Sequence, residues 1–291
     1  MKEEDILNYK YIDSEEKLCA YLNELAQKGC ETIALDIEGE SNLHHYGEKL
    51  CLIQIYDGEN AVIIDPFKIP IHHIKEIIEN RSIMKIMFDA AGDRAFLYKN
   101  CGLDLKTVLD LQVAVLLLNY EKRDLSSVLK TAIDVNSSVP KKKFQMYNWS
   151  RRPLSNDAVN YALSDVIDLF KLKDKLIEDV ISRGLIEKFI SKNMQVQNKA
   201  HIYNTKPKLL RTKTFDSLKK NEKNIFEKLL AIRERFAQKL NLPPNLILAN
   251  DLLFKLSAKE IKIEDVKLSR VLTDTIKSQI VGEMQKTILE N

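Results

Sequence analysis

The sequence predicts an α/β fold, in which helices flank a mixed sheet and an all-helical domain follows. Short β-like runs (TIALDI, LCLIQIY and AVIID) lie within residues 32–65 and then give way to alternating helix and strand patterns. From about Thr107 onward, nearly every segment has helical periodicity. The chain has 291 residues, 45% of them hydrophobic, which is enough for a sizeable core and two domains.

Caps and turn residues delimit the individual elements. SEEKLCAYLNELAQKG (14–29) predicts a helix, because Ser14 is an N-cap candidate and Gly29 follows the last apolar position. Asp57–Gly58 predicts a turn between the second and third strands. IHHIKEIIEN predicts a helix, MKIMF (84–88) a further strand, and DRAFLYKN the start of another helix. This alternation indicates a mixed sheet covered by helices.

The helical periodicity breaks once more, at HIYNTKPKLLRTKTF, where proline, threonine and lysine replace the apolar pattern. We therefore expect a first domain over residues 1–200, a basic linker over 201–215 and a helical domain over 216–291. The helical domain reads as helix, Pro-Pro break, helix, with a final amphipathic helix in SRVLTDTIKSQIVGEMQKTI.

Composition favours some function classes over others. The charged start, MKEEDILNYK, does not predict a secretory signal, and the longest apolar run, residues 113–118, is too short to span a bilayer. The four cysteines have no C-x-x-C spacing, so we expect reduced thiols and not a zinc site. We expect a cytoplasmic protein with no membrane partner. The net charge is only +3, so basic character must be judged from local clusters.

Two carboxylates end the first strong strand pattern. Asp36 and Glu38 in "TIALDIEGES" are two residues apart, and so project from the same face of a strand. Their charges repel, and a hard divalent cation with oxygen ligands would relieve that repulsion. The alternative is a solvated strand end, which is how we interpret two other Asp-x-Glu pairs, Asp13 with Glu15 and Asp57 with Glu59.

Two further segments carry acidic residues in structured contexts. In "YALSDVIDLF", Tyr161 and Asp165 are four apart on an amphipathic helix and share a face. The alternative is a buried tyrosine bonded to its neighbour. In "KIMFDAAGDRAFLY", Asp93 opens a helix, where a carboxylate can also act as a cap. Asp89 and Asp110 compete with Asp93 for a role in the site.

The order of these segments resembles that of the DEDD superfamily of 3′–5′ exonucleases, and within it the tyrosine-bearing (DEDDy), ribonuclease D-like branch. The resemblance covers about residues 30–175, through "LDIEGES", "LCLIQIY", "KIMFDAAGDRAFLY", "VLDLQVA" and "NWSRRPLSNDAVNYALSDVIDLFKL". It implies a ribonuclease H-like mixed sheet flanked by helices. "LLAIRERFAQKLNLPPNLILANDLLFKLS" resembles one copy of the helicase-and-RNase-D C-terminal (HRDC) domain, which implies an HRDC-like helical domain.

The resemblance implies the roles of the acidic residues. It places the metal ligands at Asp36, Glu38, Asp93 and Asp165, adds Tyr161 to the catalytic set, and makes Asp110 a supporting residue. One position departs from the family pattern, because Phe88 stands where these sequences usually have a histidine. This departure leaves the ligand set intact but affects a position near the expected substrate.

The implied chemistry is a two-metal hydrolysis. Four carboxylates balance the charge of two divalent cations, for which Mg²⁺ is the default and Mn²⁺ the substitute. The resemblance implies that Tyr161 hydrogen-bonds the attacking water, and that nucleoside 5′-monophosphates are released from a 3′ end.

Two clusters of basic residues lie near the segment that contains Tyr161 and Asp165 or follow it in the chain. Lys141 to Lys143 and then Arg151 and Arg152 lie on either side of "FQMYNWS", and a second run over residues 206–223 contains seven basic residues. We expect nucleic-acid contacts at Lys143, Trp149, Arg151 and Arg152. The alternatives are solvated charges and, for Trp149, a packing anchor. The histidine pairs His44–His45 and His72–His73 lack metal-site spacing.

The leading hypothesis is therefore a metal-dependent 3′–5′ exoribonuclease acting on single-stranded 3′ ends of structured or stable RNA, such as tRNA precursors. A 3′–5′ DNA exonuclease is the alternative with the same chemistry. A non-catalytic nucleic-acid-binding scaffold would be expected to lack one of the acids, and none is missing.

Overall fold

The computed structural model describes residues 8–136, 141–200 and 206–291. Six strands form one sheet in the order β1-β4-β3-β2-β5-β6. They are β1 (Tyr9–Ile12), β2 (Thr32–Ser41), β3 (Glu48–Tyr56), β4 (Ala61–Ile64), β5 (Met84–Met87) and β6 (Val108–Asp110). β1 and β4, β2 and β5, and β5 and β6 pair in parallel, whereas β3 and β4 are antiparallel. The predicted mixed sheet is confirmed.

Nine helices of the described chain accompany this sheet: α1 (Glu15–Gln27), α2 (Ile71–Ile78), α3 (Ala91–Cys101), α4 (Gln112–Leu117), α5 (Leu125–Ile133), α6 (Lys141–Gln145), α7 (Asn156–Ser164), α8 (Leu169–Ser182) and α9 (Ile186–Asn198). A 3₁₀ turn covers Pro66–Lys68. The predicted cap of α1 is confirmed, because the Ser14 side chain accepts a hydrogen bond from the Lys17 N–H at 3.4 Å.

Two strands were not anticipated. β1 has only four residues, too few for an alternating pattern, and it forms through parallel pairing with β4. β6 has three residues and interrupts the region predicted to be helical from Thr107 onward. Side chains of α9 accept hydrogen bonds from the outer edge of β6: Gln197 Oε1 from the Val108 N–H at 2.9 Å and Asn193 Oδ1 from the Asp110 N–H at 2.8 Å. Tertiary contacts therefore make β6 a strand.

The sheet is buried on both faces. Ile33, Leu35 and Ile37 of β2 pack into one core with residues of α1, α2 and α3. Ala34 of β2 faces the other core, which includes residues of α4, α5, α8 and α9. Successive side chains of a strand alternate between faces, so Asp36 and Glu38 follow Ala34 on the second side. The periodicity of β2 thus determines where its acids point.

The described chain divides into two compact units, one of residues 8–39 and 49–200 and the other of residues 40–48 and 206–291. The second unit contains α10 (Lys213–Asp216), α11 (Lys220–Leu240), α12 (Pro244–Ile247), α13 (Asn250–Ser257) and α14 (Asp274–Leu289), with 3₁₀ turns at Lys208–Arg211 and Ile263–Asp265. Phe226 of α11 stacks on Phe254 of α13, with ring centroids 4.5 Å apart. Tyr46 packs against the same core.

The predicted linker, 201–215, lies partly outside the described residues, which exclude 201–205. Its remaining part contains a 3₁₀ turn and the start of α10. Leu209, Leu210 and Phe215 pack into the core of the second unit. The structure therefore corrects the linker's C-terminal half, because these apolar side chains make it part of the helical unit.

No helix in the described part of the chain combines the length and apolar character that crossing a bilayer requires.

Lys85 offers a test of the buried sheet. This side chain of β5 is fully buried, and its Nζ donates to the Asn80 carbonyl. Burial lowers its pKa to about 8. Between pH 8 and about 10.4 the unfolded state holds a proton that the folded state has lost, so the stability should rise with pH by up to about 3 kcal/mol. We expect this rise, measured by denaturant unfolding with Trp149 fluorescence, to disappear in Lys85→Met.

The variant also serves as the control for this experiment. Other groups titrate in both proteins, so only the difference between the two pH profiles reports on Lys85. Parallel profiles for the wild type and Lys85→Met between pH 7 and 10.5 would show that the lysine titrates normally.

Candidate active site

Strand β2 and the end of helix α7 bring three carboxylates together. Oxygen atoms of Asp36, Glu38 and Asp165 all lie within 4.8 Å of one another, and each residue is half-buried. α7 begins at the Ser155 cap, whose hydroxyl accepts from the Ala158 N–H at 3.3 Å, and ends at Ser164, so that Asp165 is its C-cap residue. A strand and a helix terminus thus supply this carboxylate cluster, defined as Asp36, Glu38 and Asp165.

Burial and like charge dominate the electrostatics of the carboxylate cluster. Burial raises the pKa of Asp36 well above its usual value, and the charges of Asp93, Asp165 and Glu38 raise it further. The pKa of Glu38 is raised by burial first, and then by Asp165 and Asp93. These carboxylates therefore repel one another, and a cation held between them would be strongly favoured.

Asp93 lies in the first turn of α3 and outside the 4.8 Å cluster. Its charge still reaches Asp36 and Glu38, whose pKa values it raises. Burial, followed by Asp89 and Asp110, raises the pKa of Asp93 itself to about 7. The alternative role as a helix cap is not observed, since the N-cap is Ala90 and no side chain caps α3. In this structure Asp93 therefore lies beside the carboxylate cluster and is not a member of it.

Asp110 determines how α3 begins. Its carboxylate accepts hydrogen bonds from the N–H groups of Asp89 at 2.9 Å, Ala90 at 3.2 Å and Gln112 at 3.0 Å. Asp89 has a φ of +61°, a left-handed conformation that a non-glycine residue adopts at some cost. Asp110 thus closes the strained turn from which Asp93 is presented. The Asp110 N–H is in turn held by Asn193, a residue that the sequence analysis missed.

Gly39 allows α3 to approach β2. A Cβ atom at this position would lie 2.8 Å from Cζ of Phe96, a residue of α3. A larger residue beside Glu38 would therefore require the Phe96 ring of α3 to move. The glycine inside the β2 pattern was the available signal, since an isolated glycine in a strand often marks a close approach.

Tyr161 lies on α7 one turn before Asp165, and its hydroxyl is close enough to that carboxylate for the two groups to interact. Burial and then the charges of Asp165, Glu38 and Asp36 raise the pKa of the phenol far above its usual value. The hydroxyl therefore stays protonated at neutral pH and can donate. The ring stacks on Phe144 of α6, with centroids 4.7 Å apart and planes inclined by 17°.

The predicted nucleic-acid contacts separate into exposed and structural residues. Lys143 and Arg151 are exposed, and Lys143 pairs with Asp157 at 2.7 Å. Trp149 is 3% exposed inside an aromatic and aliphatic core, so neither ring face is open to a base. Its predicted stacking role is corrected to the packing alternative.

Arg152 is also corrected. Its guanidinium pairs with Asp65 and donates to the carbonyls of Trp149 at 2.8 Å and Cys51 at 2.7 Å. It also lies over the Phe67 ring, 4.5 Å from the centroid. Its donors are thus directed at the protein, and Arg152 connects the segment before α7 to the sheet.

The remaining sequence candidates lie elsewhere. Phe88 is half-buried and packs against the core under α4, α5 and α8. His44 contacts Glu40, and His73 contacts Glu15 and Glu76. Within the described ranges, Asp36, Glu38 and Asp165 are the one group of at least three candidate ligands that could hold a metal ion. Its all-carboxylate donor set suits a hard divalent cation.

A carboxylate cluster at the sheet, with a tyrosine beside it, is an arrangement suited to metal-dependent hydrolysis. Residues 9–181 match the family described as 3′–5′ exonuclease, and the chain belongs to this family. The resemblance to DEDD-type 3′–5′ exonucleases that the motifs indicated is thereby confirmed.

Two known proteins are similar in sequence to different lengths of this chain. A ribonuclease D of Nitrobacter hamburgensis is 26% identical over 209 residues, 71% of this chain and 54% of its own. The exosome complex component 10 homolog of Caenorhabditis elegans is 28% identical over 253 residues, 84% of this chain and 28% of its own. The chain thus spans about half of the first relative and just over a quarter of the second.

The fold is similar to that of Escherichia coli RNase D. The TM-score is 0.72 at 21% identity, covering 97% of this chain and 75% of that one. At this identity the likeness concerns the fold.

Metal binding should be visible in thermal stability. We expect Mg²⁺ or Mn²⁺ to raise the Tm of the wild type, because a cation relieves the repulsion among the clustered carboxylates; at 100 times Kd the gain is about 2.7 kcal/mol. Asp36→Asn should lose this rise. In EDTA it should be at least as stable as the wild type, since it lacks one repelling charge. Thermal unfolding followed by circular dichroism measures both effects.

Glu59→Gln is the charge-matched control, because Glu59 is an exposed carboxylate of another Asp-x-Glu pair. It should keep the full metal response. An equal metal-induced rise in Asp36→Asn and the wild type would place the cation elsewhere.

Proposed function

We propose that the protein is a metal-dependent 3′–5′ exoribonuclease that releases nucleoside 5′-monophosphates. The observation that carries this proposal is the cluster of Asp36, Glu38 and Asp165 within 4.8 Å, with the Tyr161 hydroxyl near enough to interact with these charges. RNA is proposed as the substrate because the relatives include proteins named ribonuclease D and exosome complex component 10.

The carboxylates would hold two divalent cations, Mg²⁺ by default and Mn²⁺ as a substitute. Asp36, Glu38 and Asp165 supply the clustered oxygens, and we propose that Asp93 completes the ligand set from the start of α3. Bound there, the cations would activate water and stabilise the departing 3′ oxygen. Three of these acids are held on rigid elements, β2 and the end of α7, which keeps their oxygens close before any ligand arrives.

Tyr161 would orient the attacking water. Its hydroxyl stays protonated because burial and the surrounding carboxylates disfavour the phenolate. A protonated phenol beside Asp165 can donate its one O–H to a water held near that carboxylate, or accept a hydrogen bond from it. We therefore assign it an orienting role and not that of a general base.

Arg151 and Lys143 are proposed to contact the phosphate backbone near α7. Both side chains are exposed, and Lys143 also pairs with the exposed Asp157, whereas Trp149 is buried and the Arg152 guanidinium is bonded within the protein. Phosphate contacts of this kind position a chain without reading its sequence.

We also propose that the first unit is the catalytic domain and that the helical unit, whose core already includes Leu209, Leu210 and Phe215, is an HRDC-like domain. Structured RNA, such as the 3′ ends of tRNA precursors, is the proposed substrate. The E. coli RNase D, whose fold is similar, is described as an exoribonuclease involved in structured RNA processing.

The activity is tested with matched 5′-labelled RNA and DNA oligonucleotides in Mg²⁺, Mn²⁺ or EDTA. We expect metal-dependent shortening of RNA from its 3′ end, with 5′-monophosphates as products. Asp36→Asn should reduce the rate by more than about 100-fold, since it removes a proposed metal ligand. Asp93→Asn should be slower and require more metal. Denaturing gels and thin-layer chromatography measure both quantities.

Two controls make the assay decisive. Glu59→Gln should be fully active, and RNA blocked by a 3′-phosphate should resist if the enzyme needs a free 3′ end. Faster cleavage of DNA would replace the RNA assignment with the DNA exonuclease. Tight binding without cleavage of either polymer would favour the non-catalytic scaffold.

Substrate binding should depend on salt through Arg151. We expect Arg151→Gln to weaken RNA binding uniformly across sequences, and to reduce the slope of log K against log salt by about one. The measurement is fluorescence anisotropy with the inactive Asp36→Asn protein in Ca²⁺. Arg152→Gln is the contrasting variant: it should lower thermal stability, because the buried carboxylate of Asp65 loses its partner. An unchanged salt slope in Arg151→Gln would remove this residue from the interface.

A further inference from the structure

Helix α6 contacts α7 through two adjacent residues. The Lys143 ammonium lies 2.7 Å from Oδ2 of Asp157, and the Phe144 ring stacks on the Tyr161 ring at 4.7 Å. Asp157 and Tyr161 are four positions apart on α7 and so share one face. The short helix α6 is therefore attached along the same face of α7 that presents the tyrosine.

Phe144 is a core residue and not a surface contact. It is 1% exposed, and it belongs to an aromatic group in which its centroid lies 5.6 Å from Tyr147 and 6.3 Å from Trp149. Trp149 also lies 6.1 Å from the Tyr161 ring. The apolar part of Tyr161 thus packs against two aromatic rings, whereas its hydroxyl lies near the carboxylates of the cluster.

We propose that Phe144 is a positioning residue, which packs on the Tyr161 ring, restricts the swing of that side chain about its Cα–Cβ bond and thereby holds its hydroxyl beside the carboxylate cluster. This inference rests on the proposed function, in which that hydroxyl orients the attacking water. The hydroxyl is at the far end of the side chain, so a small rotation about the Cα–Cβ bond displaces it more than any other atom of the side chain. A displacement of about 1 Å can reduce a rate by about 100-fold.

The near-parallel geometry supports a specific role over general packing. The two planes are inclined by only 17° at a centroid distance of 4.7 Å, so one face of the tyrosine packs on one neighbour. The hydroxyl oxygen lies on the axis of the Cβ–Cγ bond, so a flip of the ring leaves it in place, whereas a swing of the whole side chain about the Cα–Cβ bond displaces it. The contacts of the ring with Phe144 and Trp149 restrict that swing.

A double-mutant cycle separates positioning from stability. Phe144→Leu should lower kcat about tenfold with little change in KM, because its effect passes through a residue that acts after binding. In a Tyr161→Phe background, the same substitution should cause no further loss, since no hydroxyl remains to be displaced. Phe144→Met, which refills most of the space without a ring, should behave like Phe144→Leu and serves if that variant does not fold.

Tyr21→Leu is the matched control. Tyr21 is 3% exposed and belongs to α1, in the core on the other face of the sheet. It should lose stability comparably to Phe144→Leu but keep its kcat. If Phe144→Leu slows the Tyr161→Phe enzyme by the same factor as it slows the wild type, the positioning role is wrong.

A spectroscopic measurement tests the contact without activity. With ¹³C-labelled tyrosine, the Tyr161 ring signals, assigned by their loss in Tyr161→Phe, should shift in Phe144→Leu because the ring current of the stacked phenylalanine is removed. Tyr21→Leu should leave them in place. An inactive wild type would overturn the proposed function, whereas unchanged Tyr161 signals in Phe144→Leu would overturn the positioning role.

Discussion

The repulsion among three half-buried carboxylates, two on β2 and one at the end of α7, is the constraint that the rest of the first unit must withstand. Asp36, Glu38 and Asp165 are held within 4.8 Å, and burial raises the pKa values of the two β2 acids. Such an arrangement disfavours the folded state unless a cation is present, and it persists only because other contacts fix the backbone. β2 supplies that rigidity from within the sheet, where it lies between β3 and β5.

Support for α3 comes from the far edge of the sheet. Asp110 of β6 closes the turn before α3, and its own N–H is bonded to Asn193 of α9. Arg94, the residue after Asp93, is buried and donates to the carbonyl groups of Val196 and Gln197 at the end of α9. A cationic side chain at a helix C-terminus is favourable for the helix as well. The last helix of the unit therefore anchors the element that presents Asp93.

The sequence was sufficient to predict the elements and side-chain directions that follow from local residue patterns. It was not sufficient for strands and side-chain contacts that depend on tertiary packing. The alternation in β2 was sufficient to place Asp36 and Glu38 on one face, and Ser14 was sufficient to start α1. β1 (YKYI) is as long as β4 and β5 but has only one aliphatic residue, and β6 has only three residues; both form through pairing with β4 and β5. Asn193 carried no local signal at all, since its role depends on where α9 lies relative to β6. Long-range packing of this kind cannot be read from spacing.

The segment that most resembles the exonuclease family contains residues with different physical roles. Trp149 packs in the core, and Arg152 pairs with Asp65 and donates hydrogen bonds to backbone carbonyls. Asp165, in contrast, belongs to the carboxylate cluster, and Tyr161 lies beside it. The donors of a buried arginine need hydrogen-bond partners, and Arg152 finds them within the protein, so this basic residue need not contact phosphate. The guanidinium of Arg152 connects the segment before α7 to the sheet, and α7 carries Tyr161. The basic residues of this segment therefore divide into Arg152, which holds the structure together, and the exposed Arg151, whose charge remains available to a ligand.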